Sequence, residues 1–169
     1  MSAPGLASEL AATCGRPPSA PHLRRDEIAF RAEYGRLVEA GLVTTVFRPG
    51  DRRYPCWRGY IEGELVTARI IAQPGCDMAG RAPRFTAFGR SVCIAGLKVV
   101  AIEALRPGDF SGSSTDVFDA ASLQRHLEGI YGRPLAEWGG VVTRIALDWG
   151  ASQPRWRRAR ALDLESAAP

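Results

Sequence analysis

Hydrophobic and polar positions alternate in segments along this chain, and each segment predicts an element. After Asp26, an N-cap candidate, Phe30, Tyr34, Leu37 and Val38 recur at i, i+4, i+7 and i+8, with Gly41 closing the run. That spacing puts one apolar stripe on a helix, with Arg31, Arg36 and Glu39 off it. A β-branched run over 42–48 predicts a strand ended by Pro49-Gly50-Asp51. Leu42, Thr44, Val46 and Arg48 share one face of it, and Val43, Thr45 and Phe47 the other. A second strand is expected over 64–72, a short one over 85–88, and one or two more over 92–105, where Gly96 interrupts. The stretch 97–105 is apolar on both faces and should be central. Asp119 caps a second helix whose buried stripe is Leu123, Leu127, Ile130 and Tyr131, which Phe118 can staple and Gly132 stops. Strict alternation over 141–149 predicts a closing strand.

The order of elements predicts an α+β fold: a small, mostly antiparallel β-barrel of about five or six strands flanked by two helices. It should occupy residues 26–150. Residues 1–25, rich in Ala, Pro, Gly and Ser and without periodicity, are expected to be a disordered N-terminal tail, and 151–169 a basic C-terminal tail.

Composition narrows the class. With 46% hydrophobic and 24% charged residues among 169, the chain reads as a globular protein with a real core. No apolar run approaches the ~20 residues that a membrane helix needs, and no secretory signal opens the sequence, so a cytoplasmic protein without a membrane partner is expected. The net charge is +4 and the pI about 9.2, but seven of the 22 basic residues and only four of the 18 acidic ones lie outside 27–150. The domain is therefore close to neutral. Lys98 is the only lysine, so cationic contacts fall to arginine, which suits bidentate recognition of phosphate or base edges. Cys14, Cys56, Cys76 and Cys93 form no C-x-x-C pair; free thiols are expected, with no metal and no cofactor.

The candidate chemistry lies around the first strand. Gly41 and Arg48 stand at the two ends of the motif Gly-x-Lys-x-x-Glu-x-Arg, and on these residues the segment resembles the ASCH domain family, a PUA-like group of small β-barrels. The resemblance spans roughly residues 27–150 and implies binding of RNA or nucleotides. Some members resemble amidohydrolases of acetylated cytidine and use the motif lysine with a polar residue at the glutamate position. Here those positions are Val43 and Val46, so a noncatalytic module is expected. A hydrolase of a modified nucleoside is the alternative, with Lys98 or Glu103 needed in the same cleft, and a regulatory protein-interaction domain is the third reading.

After the first strand, 51–60 interleaves Arg52, Arg53 and Arg58 with Tyr54, Trp57 and Tyr60. Arginine meets phosphate, and an aromatic face stacks on a base for ~1–3 kcal/mol. The expected ligand contacts are thus Thr44, Arg48, Arg52, Arg53, Trp57, Arg58 and Tyr60. Two further features carry less. The hydroxyl-rich loop 106–116 lacks the pattern of a nucleotide P-loop and more often satisfies its own backbone. His126 falls off the helical stripe and is expected at the surface; a Ser113/His126/Asp116 triad has no support from spacing. The second basic-aromatic cluster, 154–160, offers salt-sensitive phosphate contacts.

Overall fold

The computed structural model describes residues 23–73, 84–113 and 116–151; the expectations for Cys14, Cys76 and the cluster 154–160 fall outside them. Five strands form one curled, mixed sheet in the order β1-β3-β4-β5-β2, with β1 Glu27–Phe30, β2 Thr45–Pro49, β3 Leu65–Ile71, β4 Phe85–Ala101 and β5 Val141–Asp148. β1 runs parallel to β3, while β3–β4, β4–β5 and β5–β2 are antiparallel. The helices are α1, Gly35–Glu39, and α2, Ala120–Tyr131. The α+β class stands, but the mostly antiparallel closed barrel is corrected to an open, mixed half-barrel, because β1 and β2 do not pair with each other.

Local chemistry explains the elements. β4 carries 17 residues without a break, since Gly96 accommodates a bulge opposite β5, where the register shifts between Ile94 and Gly96, and does not end the strand. The helix expected from Asp26 onward is instead a strand, a 3-10 turn over Ala32–Tyr34 and the short α1. Ile28 and Phe30 are buried at period 2, and pairing with β3 satisfies backbone groups that an isolated helix would have satisfied internally. At α2 the capping is as expected. The Asp119 carboxylate accepts from Ser122 N at 2.7 Å, and Gly132 ends the helix at φ 63°. Phe118, however, is 64% exposed and staples nothing.

Two apolar clusters lie on either side of β2 and β5. Ile28, Phe30, Val46, Ile70, Ile94 and Ile145 fill the concave side of the half-barrel. Phe47, Val142, Leu123, Leu127 and Leu135 join the sheet to α2 on the other. Because β2 is an edge strand, both clusters end at its free side. The seam between β1 and β2 is left as the fold's opening.

Candidate functional site

A cavity of about 100 Å³ occupies that seam. β1 contributes Ala29 and Phe30, β2 contributes residues 45–48, and α2 contributes Leu123, His126, Leu127, Ile130 and Tyr131. The loop between β2 and β3 adds Arg52, Arg58 and Tyr60, and Arg31 and Tyr34 follow β1. Four arginines and a histidine thus line one cavity, and among its described lining residues there is no carboxylate. Each cation is held differently.

Arg48 lies across the seam. Its Nη2 donates to Ala29 O on β1 at 2.8 Å and its Nη1 to Phe47 O at 3.0 Å, so a side chain does at this point what a strand-to-strand backbone bond would do in a closed barrel. Arg52 is deeper, at 2% exposure. Its Nε donates to Pro49 O at 2.9 Å and its backbone N to Thr143 Oγ1 at 2.9 Å, but its buried Nη2 has no hydrogen-bond partner. Burial pulls the Arg52 guanidinium below its ordinary pKa, and the neighbouring Arg48 and Arg58 add to the pull. Arg58, half-buried, is displaced in the same direction by burial.

The loop that carries these groups is tight. Tyr60 N donates to Arg52 O at 2.7 Å and Tyr54 N to Tyr60 O at 2.9 Å, and Gly59 N closes an inner turn on Cys56 O. Arg58 sits at φ 51°, a left-handed conformation unusual for a residue with a Cβ. The guanidinium carbons of Arg52 and Arg58 lie 4.4 and 5.0 Å from the Trp57 ring centroid, so this indole is already engaged with two cations. Cys56 is disulfide-bonded, which corrects the free-thiol expectation at that position; Cys93 is a buried thiol whose Sγ donates to Gly63 O at 3.5 Å.

Of the residues singled out in the sequence, Arg48, Arg52, Arg58 and Tyr60 come together in the cavity wall. Tyr60 is buried, its hydroxyl donating to Glu27 O at 2.9 Å, and burial raises its pKa. Trp57 backs the wall through its contacts with Arg52 and Arg58. Arg53 points away and pairs with Asp51, Nη2 to Oδ2 at 2.7 Å, and that pairing lowers the Asp51 carboxyl. Thr44 is exposed and bonds through its backbone to Gly112 O, while its neighbour Thr45 reaches the cavity.

His126 was expected at the surface and instead edges the cavity mouth, half-buried. Its Nε2 lies 3.5 Å from Tyr34 Oη, which also lies 3.5 Å from Asp116 Oδ2. Desolvation, then Arg31, lowers the imidazole pKa; Asp116 opposes this and Arg48 adds to it. Helical periodicity missed the residue because it flanks the Leu123–Leu127 stripe and faces a gap between core and solvent. Ser113 turns its hydroxyl to Phe110 O and Val117 O, so a triad with His126 does not assemble. Lys98 pairs with Asp109, Glu103 lies in the turn Ile102–Ala104, and neither lines the cavity, whereas Val43 and Val46 do. Comparison with protein-family models, curated proteins and solved structures gives no match, so the geometry of this seam is what a functional reading has to rest on.

Proposed function

We propose that the chain is an ASCH-like RNA- or nucleotide-binding module that holds an anionic group of its ligand in the seam cavity. The observation that supports this best is the lining itself: Arg31, Arg48, Arg52 and Arg58 around one opening, with no carboxylate among the described lining residues, although Arg31 pairs outside the cavity with Glu33 at 3.6 Å. Buried cations are ordinarily paired, because an uncompensated charge away from water is costly. A ligand anion would supply a partner for the buried Arg52 Nη2, which has none among the described residues, and regain that cost on binding. Phe30, Tyr34, Phe47 and Tyr131 give the same cavity apolar walls, beside which a charge on the ligand is less screened than in water. The hydrolase alternative draws no such support, since the positions that would carry its lysine and acid are the apolar Val43 and Val46 of the lining.

The test is a titration of the full chain with single-stranded RNA, tRNA, duplex DNA and free nucleotides at two salt concentrations. Binding of at least one of these that weakens with salt and is reduced by Arg58→Met is expected. Binding of none of them, or binding indifferent to this substitution, overturns the reading.

A further inference from the structure

The shape of the cavity says more about which anion it takes, provided that it binds one as proposed above. Arg52 lies at the floor, 2% exposed, beside the equally enclosed Tyr60 and Phe47. Its Nη2 is one of two buried donors of the lining without a hydrogen-bond partner, the other being Arg31 Nε, which has Glu33 within ion-pair distance at 3.6 Å. At the mouth stand the half-buried Arg31, Tyr34, His126 and Ile130. The cavity is therefore blind, with its deepest donor at the closed end.

Volume and connectivity then discriminate between ligands. At about 100 Å³ the space is smaller than the ~150 Å³ that encloses a benzene, so it admits one compact group and not a length of strand. An internal phosphodiester has chain leaving on both sides and cannot be driven to the floor of a blind cavity. A terminal group can, because the rest of the molecule leaves through the mouth. Charge points the same way. A phosphomonoester carries about −1.5 to −2 at neutral pH against −1 for a diester, and Arg48 and Arg52, whose guanidinium hydrogen bonds among the described residues go to backbone carbonyls and not to carboxylates, both line this cavity. Arg48 and Arg52 are also fixed in place before any ligand arrives, by their bonds to Ala29 O, Phe47 O and Pro49 O. A preorganised donor loses little freedom on binding.

We propose that the seam cavity is a receptor for a terminal phosphomonoester, the phosphorylated end of an RNA strand or the phosphate of a free nucleoside monophosphate, with Arg52 Nη2 as its innermost donor and Arg48 and Arg58 flanking it. Strand end and free nucleotide share this chemistry. The experiment separates them.

Fluorescence anisotropy of the full chain with a short single-stranded RNA, dye-labelled at one end and bearing either a phosphate or a hydroxyl at the other, reads the preference directly. The phosphorylated strand is expected to bind at least about tenfold tighter, the factor that corresponds to losing one charge-assisted hydrogen bond. A nucleoside monophosphate should compete and the bare nucleoside should not. Full displacement by the monophosphate at concentrations below those of the strand identifies the free nucleotide as the ligand; weak displacement identifies the strand end. Arg58→Met should remove most of the phosphate preference, and this half-buried residue is a safer substitution than Arg52, which also holds Pro49. Equal affinity for both strands, with no competition by the monophosphate, overturns the terminal-phosphate proposal while leaving nucleic-acid binding intact. Absence of binding by every probe overturns both readings.

Discussion

His126 shows how one side chain can report on the whole site. Its imidazole pKa is lowered by desolvation and by the cations Arg31 and Arg48, with Asp116 acting against them. A folded-state value below the unfolded ~6.5 means that the unfolded chain binds the proton more tightly. The histidine's contribution to stability is therefore present above pH ~6.5 and lost as pH falls through the folded value. Melting temperature should drop between pH ~7.5 and ~5.5, and His126→Gln should shrink that drop, measured against the parent at both pH values. An anion in the cavity works the other way, since it favours the charged ring. Phosphate or a nucleoside monophosphate should then flatten the pH dependence of the parent protein and leave that of His126→Gln unmoved. A drop identical in parent and variant would remove His126 from the site.

At the scale of elements, the loop from Asp51 to Tyr60 bears two of the four arginines of the cavity wall, Arg52 and Arg58, and its backbone leaves no slack. A Cβ at Gly59 would meet Arg53 C, Cys56 O and Tyr54 N, each at 2.7 Å, all of them backbone atoms that cannot turn aside. Gly59→Ala should cost ~1–3 kcal/mol, the usual range for forced overpacking, and should weaken anion binding along with stability; denaturant unfolding followed by titration measures both. The disulfide at Cys56 sits two residues from Arg58 and restrains the same loop. Reduction under native conditions should lower anion affinity before it lowers helix content, read by titration and by circular dichroism on one sample. This loop also marks the limit of the sequence. Its mixture of arginine and aromatic residues was visible, but two of its members diverge: Arg53 pairs with Asp51, and Trp57 meets two guanidiniums. Composition names the residues of a loop and not their directions, which here depend on Arg58 entering a left-handed conformation. β3, α2 and β5 were legible for the opposite reason. Each carries a full period of buried positions between its own start and stop signals, as in Asp119 to Gly132. Residues 27–30 were misread because Phe30 also opens the helical spacing Phe30, Tyr34, Leu37 and Val38, whereas Ile28 and Phe30 together fit only a strand face, which the parallel pairing with β3 realises.

For the molecule as a whole, the open seam is what distinguishes this half-barrel from the closed barrel that the sequence suggested. Two free strand edges facing a cavity leave backbone carbonyls short of donors, and one of these, Ala29 O, is met by Arg48 from the opposite edge at 2.8 Å. Arg48 is thus both the bridge that holds β1 near β2 and part of the cationic wall. The two roles separate under substitution. Arg48→Met keeps the stem and removes two charge-assisted donors; with hydrogen bonds to a charged group contributing ~1.5–3 kcal/mol, it should destabilise by about that amount and weaken anion binding as well. Arg48→Lys restores the charge but not the fork that reaches Phe47 O and Ala29 O together. It should recover part of the anion affinity while remaining less stable than the parent. Hydrogen exchange locates the loss: amides of β1 and β2 should exchange faster in both variants, while those of β4 and β5, paired on both sides within the sheet, should keep their protection. If exchange accelerates evenly across all five strands, Arg48 supports the fold globally and the seam is not a separate element. If β1 and β2 alone loosen, the opening between them is held by one side chain, and a ligand that engages Arg48 would tighten the half-barrel as it binds.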